Sequence, residues 1–323
     1  MELIAGDIGG THSRLAWVTG DGSARPERRF ARDYPSRAFA TADDLIRQFI
    51  GDAGAPADPD ALLLALPGPV ESQHVALTNL DWCLDAADMR ASLGIAQVRF
   101  INDFQAAAAG VATLGAADVV ALNAQPVEAN GVRVVTGAGT GLGLAYLLPG
   151  ADGRLRSHAS EGGHADFAPA DARQVRLLAR LRAQYGHVSW ERVASGMAMP
   201  DLYAFCADEQ GAPPLDVSAP DGAAVSARAA AGDAAAEAAL DLFAELLAAW
   251  VGNVALLFQP RGGLYLAGGI AMHLQARLRA PRFMAVAADK GRMRRVVERT
   301  PVFLVTNTRL GIEGAIASGW ATH

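Results

Sequence analysis

Two short turns rich in glycine and threonine, each directly behind an apolar strand, constrain this chain more than any other feature. The first is Gly6-Asp7-Ile8-Gly9-Gly10-Thr11, after Leu3-Ile4-Ala5; the second is Gly137-Ala138-Gly139-Thr140-Gly141-Leu142-Gly143, after Val132 to Thr136. Residues without a β-carbon let backbone N–H groups close on a polyphosphate, and threonine adds a hydroxyl donor. A side chain at Gly10 or Gly139 should block that approach and force a strained backbone. A tight hairpin would explain one such turn, but two of them carrying Asp7, Thr11 and Thr140 predict two halves gripping one nucleotide.

The pattern around the turns repeats. Strand 13–18 follows the first turn, then a helix over 41–50, a buried strand over 61–66 stopped by Pro67-Gly68-Pro69, a helical stretch over 89–93, and a short strand over 98–101 that delivers Asn102 and Asp103 at its end. An Ala-rich helix is predicted over 105–114. The second half has strands over 132–136 and 144–148, helices over 171–185 and 226–258, and a strand over 263–266 before Gly268-Gly269. Strands interleaved with helices predict an α/β fold, and the repeated strand, turn, strand unit predicts a duplication. Asp208 to Pro220, rich in Pro, Asp and Gly, reads as an exposed loop.

A chain of 323 residues, 51% hydrophobic and 19% charged, fills one large or two ordinary domains. The net charge of −6, with arginines spread along the chain, offers no basic face for nucleic acid. No basic stretch precedes an apolar signal region, and Asp, Glu, Arg or Gly interrupts the Ala-rich runs before they reach a membrane span, so neither a membrane partner nor export is expected and the chain reads as cytoplasmic. Cys83 and Cys206 lack C-x-x-C spacing; they read as small core hydrophobes, with no disulfide frame and no cysteine zinc site. Lys290 is the only lysine, which excludes both the P-loop and the strand-borne lysine of protein kinases. A dinucleotide fingerprint fails because Leu142 stands where its third glycine belongs and a strand replaces the required helix.

Six segments in order carry a resemblance. Gly6 to Thr11, Ile101-Asn102-Asp103-Phe104, Gly137 to Gly143, Glu161-Gly162-Gly163-His164-Ala165-Asp166-Phe167-Ala168-Pro169, Glu191-Arg192-Val193 with Ser195-Gly196, and Ala267-Gly268-Gly269-Ile270 are similar to the motifs of the bacterial glucokinase family and span the chain nearly end to end. The resemblance implies the duplicated, actin-like (ribonuclease H-like) fold of the actin, heat-shock and hexokinase superfamily, with two α/β domains around a central cleft and ATP between the two turns. It implies a small domain of residues 1–110 with a C-terminal return over 304–323, a large domain of 111–303, and a homodimer.

Phosphoryl transfer to a sugar hydroxyl needs a base at that hydroxyl, and donors plus Mg²⁺ around the triphosphate. Asp103 is the candidate base, with Asn102 beside it able to donate to and accept from a second hydroxyl; an Asn-Asp pair is also a common cap for a helix that begins near Gln105. Asp7 is the candidate Mg²⁺ residue, directly or through water, because this ion keeps much of its hydration. By resemblance Glu161, His164 and Glu191 contact the sugar together with Asn102 and Asp103, and ATP meets Gly6, Asp7, Ile8, Gly9, Gly10, Thr11, Gly137, Gly139, Thr140, Gly141, Gly268 and Gly269. A sugar reaching all five sugar residues would bridge the two domains and favour a closed cleft. The spacings Glu161-x-x-His164 and His187 with Glu191 also suit a metal, but glycines surround Glu161 and no cysteines follow, so zinc is not expected. Two positions depart from the family pattern: His12 stands where Asn is usual, and Ser195-Gly196-Met197-Ala198-Met199 replaces a Ser-Gly-Pro-Gly-Leu kind of run.

The remaining features read as structure. The cluster Arg292, Arg294, Arg295 and Arg299 predicts a solvated helix face, and the apolar stripe Leu240, Phe243, Leu246, Leu247, Trp250 and Val254 predicts core or dimer surface. The expected activity is ATP-dependent phosphorylation of D-glucose at its 6-hydroxyl, the entry to glycolysis. A kinase for another hexose or an amino sugar differs by one or two hydroxyl contacts. A sugar-responsive regulator on this fold would need DNA-binding helices before the first strand, which begins at Leu3, and a chaperone-like module would need a peptide-binding domain after residue 323.

Overall fold

The computed structural model describes all residues except 22–25, 56–58, 78–79, 215–221 and 321–323. The chain divides into two compact units, Met1–Gly115 with Ala145–Ala159 and Asn307–His323, and Ala116–Leu144 with Ser160–Thr306.

Unit 1 begins with strands β1 (Glu2–Ile8), β2 (His12–Thr19) and β3 (Glu27–Pro35), then helix α1 (Ala42–Ala53) and strand β4 (Ala61–Leu66). The hairpin β5 (His74–Ala76) and β6 (Cys83–Asp85), helix α2 (Ala86–Leu93), strand β7 (Gln97–Asn102) and helix α3 (Asp103–Val111) follow. The main sheet has the order β3-β2-β1-β4-β7. Antiparallel pairs join β1 to β2 and β2 to β3, and parallel pairs join β1 to β4 and β4 to β7. In β4 the run Ala-Leu-Leu-Leu-Ala-Leu is wholly buried, as a central parallel strand covered on both faces requires. Alternation splits it: Leu62, Leu64 and Leu66 join Leu45, Ile46, Phe49 and Phe100 in one core, while Ala61, Leu63 and Ala65 join Leu3, Ala5, Ile312 and Ile316 in the other.

Unit 2 holds strands β8 (Val119–Ala121) and β9 (Arg133–Ala138) and the start of β10 (Leu142–Pro149), which runs into the segment counted with unit 1 and is followed there by β11 (Leu155–Ser160). Helices α4 (Ala172–Tyr185), α5 (Glu191–Ala194), α6 (Met199–Gln210), α7 (Gly222–Ala230) and α8 (Ala234–Phe258) come next. Strand β12 (Gly263–Leu266), helices α9 (Gly269–His273), α10 (Gln275–Leu278), α11 (Pro281–Ala287) and α12 (Arg294–Glu298), and strand β13 (Val302–Val305) complete it. Helix α13 (Leu310–Trp320) belongs to unit 1. The second sheet has the order β11-β10-β9-β12-β13-β8. Its first five strands repeat the order of the first sheet, with the two glycine turns at matching places between β1 and β2 and between β9 and β10, so the expected duplicated α/β fold is present.

Several local expectations need correction. The third strand of each repeat, β3 and β11, went unseen because each carries mostly exposed side chains and lacks an apolar alternation. The helix expected over 226–258 is two: Gly232 adopts a left-handed φ of 88°, and Asp233 caps α8 by accepting from the Ala235 and Ala236 N–H groups. The loop expected over Asp208 to Pro220 begins later, since α6 continues to Gln210; residues 215–220 lie outside the described residues. Cys83 is exposed, not core, whereas Cys206 is buried and burial pushes its thiol up to about 11. The apolar stripe of α8 is buried, which makes it core, and Arg292, Arg294, Arg295 and Arg299 are exposed as expected.

Helix α8 is long and apolar enough to cross a membrane by length and composition, yet most of it is buried inside the protein. Its outer edge bears Glu237, Asp241 and Glu245 at i, i+4 spacing; Arg277 pairs with the first two and Arg282 with the third. At Gly252 a β-carbon would overlap the Ala287 carbonyl, so α11 can pack backbone to backbone on α8.

The same device joins α13 to α3. A β-carbon at Gly314 would overlap the Ala106 carbonyl, and one at Gly110 would overlap that of Leu310. Gly314→Ala should therefore push the helices apart and lower stability by about 2–3 kcal/mol. Guanidinium denaturation checks this, and an unchanged midpoint would mean that the seam yields without cost.

Candidate active site

The first turn is braced by short polar side chains. The Gly9 N–H donates to the His12 carbonyl at 3.0 Å, and the Ser36 N–H donates to the Thr11 carbonyl at 3.0 Å. The Ser36 hydroxyl donates to the Gly9 carbonyl at 2.6 Å and lies 2.9 Å from the Ser13 hydroxyl. Thr11 and His12 are exposed at this turn. Asp7 ends β1 beside it, with 18% of its side chain exposed and Arg14 at 3.4 Å. Burial pushes the Asp7 carboxyl above the usual carboxylate range, against the opposing pull of Arg14. Arg14 also lies 3.6 Å from Asp33, so Asp7, Arg14 and Asp33, register partners on three adjacent strands, form a charge ladder.

At the end of β7, Asn102 caps α3. Its side-chain oxygen accepts from the Gln105 N–H at 3.1 Å, and its amide donates to the Gly68 carbonyl at 3.0 Å. Asp103 is half-buried in the first turn of α3, with the Phe104 N–H donating to Oδ1 at 2.8 Å. The capping reading of the Asn-Asp pair thus holds for Asn102 and leaves a role for Asp103 open.

In unit 2 three of the expected sugar residues come together. His164, at the end of a 3₁₀ turn over Gly162–His164, places Nε2 3.8 Å from Glu161 Oε2 and Nδ1 3.9 Å from Glu191 Oε1. These gaps exceed hydrogen-bond length, so the polar atoms face one another without being spent on one another. Glu161 and His164 are more than half exposed, while Glu191 is 18% exposed and accepts from the Leu142 N–H at 3.0 Å. The cluster stands on an aromatic wall: Phe167 meets Trp190 edge to face, and Trp190 packs on Trp250 with centroids 5.8 Å apart.

The second turn is tied down on both sides. The Gly139 N–H donates to the Gly141 carbonyl, and the Gly196 N–H donates to the Gly139 carbonyl, each at 2.9 Å. Below the turn, the buried Thr136 hydroxyl accepts from Trp250 Nε1 at 2.9 Å and donates to the Gly143 carbonyl at 2.7 Å. Gly268, at φ 101°, lets the chain after β12 pass the Ala138 carbonyl, which a β-carbon would approach to 2.7 Å.

Comparison with known proteins now decides the family. The sequence profile described as Glucokinase matches residues 4–321. A glucokinase of Synechocystis sp. is 39% identical over 98% of this chain and 97% of its own length, and one of Yersinia pestis is 34% identical over 97% and 94%. The chain belongs to the glucokinase family. The crystal structure of a glucokinase from an Antarctic psychrotroph superposes with a TM-score of 0.84 at 31% identity, covering 98% of both chains. A ROK family glucokinase of Streptomyces griseus in complex with glucose and AMPPNP, at 21% identity and a TM-score of 0.63, shares the fold.

Within this glucokinase fold the turn glycines divide by cause. Gly6 lies inside β1, where a β-carbon would meet Leu15 and Leu64 at 2.7 Å, and at Gly137 one would overlap the Ala267 carbonyl, so both are small for packing. Ile8 is buried and can offer a ligand only its backbone. At Gly139 and Gly269 a β-carbon meets nothing within 4 Å. Gly139 is not in the left-handed region, so the strained backbone expected on substitution is not found there, and neither strain nor packing within the protein requires a glycine at this position.

Sequence reasoning missed Arg14, Ser36, Thr136 and Trp250. Pairing outward from the first turn, Ile8 with Ser13 and Asp7 with Arg14, would have found Arg14. No local signal joins Thr136 to Trp250. Thr136→Val keeps the shape but orphans the indole N–H and the Gly143 carbonyl, and should cost about 1–3 kcal/mol. Thr136→Ser, which keeps the hydroxyl, should lose no more than about 1 kcal/mol. Thermal melts of the two variants check this, and equal losses would assign the effect to packing.

Proposed function

We propose that this chain is an ATP-dependent glucokinase that transfers the γ-phosphoryl group to the 6-hydroxyl of D-glucose. The observation that carries the reading is the meeting of Glu161, His164 and Glu191 beside the second glycine turn. Two acceptors and an imidazole, held slightly too far apart to bond one another, suit a ring whose hydroxyls donate to the carboxylates and bond the imidazole between them. Asn102 adds an amide already oriented by Gly68 and Gln105.

Asp103 acts as the base. It takes the proton of the 6-hydroxyl as that oxygen bonds to the γ-phosphorus, and the bond from phosphorus to the β,γ-bridging oxygen breaks to release ADP. The backbone of the two turns at Gly9, Gly10, Thr11, Gly139 and Thr140 receives the phosphates, and the open space over Gly139 supports this placement. Gly268 and Gly269 let the backbone approach the adenosine. Mg²⁺ fits the single, partly exposed carboxylate of Asp7 through water and, when bound, neutralises charge on the phosphates. Arg14 holds that carboxylate and, being itself paired to Asp33, does not cancel its charge alone. The small domain, expected as residues 1–110 with 304–323, is read as the first unit, which also takes in 145–159, and the large domain, expected as 111–303, as the second. We place the reaction in the cytoplasm and read the assembly as a homodimer.

Asp103→Asn keeps the size and removes the basicity, so kcat should fall roughly 10²- to 10⁴-fold with ATP binding retained. A coupled assay across a panel of hexoses and amino sugars, with Glu161→Gln and His164→Ala beside the wild type, tests the substrate. Glucose should be preferred, and both variants should raise its KM. Turnover of Asp103→Asn within a few-fold of wild type would remove the base, and stronger activity on another sugar would replace glucose.

A further inference from the structure

Gly141 belongs to the second turn, where a glycine is ordinarily read as clearance for phosphate, but its missing β-carbon faces something else. A β-carbon there would overlap Glu191 Oε2, the same oxygen that accepts from the Leu142 N–H at 3.0 Å. Two residues earlier, a β-carbon at Gly139 would stand in open space. One turn therefore presents two kinds of glycine, one against a void and one against a carboxylate. Leu142 is held from its other side as well: a β-carbon at Gly163 would overlap the Leu142 carbonyl, so the loop bearing Glu161 and His164 lies directly on this peptide.

Helix α5 completes the link. It opens with Glu191, and just beyond its end the Gly196 N–H donates to the Gly139 carbonyl at 2.9 Å and the Met197 N–H to the Thr140 carbonyl at 3.3 Å. The segment from Glu191 to Met197 thus touches the turn at both ends, once through a side chain and once through backbone.

We propose that Gly141 and the Leu142 N–H are positioning residues for the sugar: together they set the Glu191 carboxylate, so that the second turn fixes sugar affinity and, through the same carboxylate, is itself steadied. The proposal rests on the reading of Glu191 as a sugar-binding residue. It makes Gly141 a determinant of glucose binding although it lies in a phosphate turn. It also makes the carboxylate a shared part of two sites, and such sharing couples the ligands reciprocally.

The test compares Gly141→Ala and Gly139→Ala in the full chain, measuring glucose alone and AMPPNP alone by calorimetry, then KM for each substrate. Displacing Glu191 should weaken glucose about ten- to a hundredfold in Gly141→Ala, with a smaller loss for AMPPNP as the turn gives up its Leu142 anchor. Gly139→Ala should give the reverse pattern. In a double-mutant cycle, adding Gly141→Ala to Glu191→Gln should weaken glucose by less than about twofold more, since both act through one carboxylate. Wild-type glucose affinity in Gly141→Ala, with Glu191→Gln impaired, overturns the proposal and leaves the sugar reading standing. Full additivity in the cycle overturns it too. Wild-type glucose affinity in Glu191→Gln removes Glu191 from the sugar site and takes the proposal with it. If Gly141→Ala does not fold, Glu191→Ala decides: loss of the Leu142 anchor should weaken AMPPNP as well as glucose, and unchanged AMPPNP affinity overturns the proposal.

Discussion

Backbone lying on backbone is the constraint from which the rest of this molecule follows. At Gly137 against Ala267, Gly163 against Leu142, Gly252 against Ala287 and Gly314 against Ala106, two segments of backbone approach so closely that a methyl group would overlap a carbonyl. Such seams exchange side-chain packing for close peptide contact, and they hold a turn by its own peptides rather than by long, mobile side chains. The second glycine turn shows the result. It is fixed from Gly196 on one side and from Thr136 below, and it therefore keeps one shape without help from a ligand. For the nucleotide role proposed above, such a preformed turn would lose little entropy when a polyphosphate enters.

Charge is arranged with similar economy. The Asp7, Arg14 and Asp33 ladder places one cation between two carboxylates on neighbouring strands, and Arg309 lies 3.7 Å from Asp33 as well, so Asp7 is the carboxylate that burial holds above the usual range despite Arg14. On α8 the acidic edge is answered by Arg277 and Arg282, which fastens α10 and α11 to a helix otherwise apolar enough for a bilayer. Exposed pairs of this kind contribute modestly one by one, so the burial of α8 remains the larger stabilising effect.

What was legible in the sequence was whatever a short window encodes. The all-apolar run of β4, the Asn102 cap, the two turns and the strand before Gly268 each carry their own chemistry, and each lies where expected. Edge strands β3 and β11 were invisible because their partners satisfy them through backbone while their side chains meet water. The break at Gly232 was hidden by a run of alanines whose helical preference continues on both sides of it. Cys83 was read as core because residue type was the only guide, whereas its hairpin leaves it at the surface. In the site, the motifs marked Glu161, His164 and Glu191, but not that Glu191 leans on Leu142. That contact depends on how far α5 lies from the turn, a tertiary distance with no sequence period.

Unit 1 has an unusual dependence on the order in which the chain is made. Its second core needs Ile312 and Ile316 of α13 against Leu3, Ala5 and Leu63, yet all of unit 2 is synthesised between α3 and α13. During translation this face of the first sheet therefore waits, covered only in part by α3, for α13. Unit 2 has all of its own residues in hand before that moment and can fold first, and the closing of the first sheet pays the loop entropy of the whole intervening sequence at once. The nascent chain is thus most exposed to aggregation late in synthesis, with the apolar face of its N-terminal sheet as the vulnerable surface.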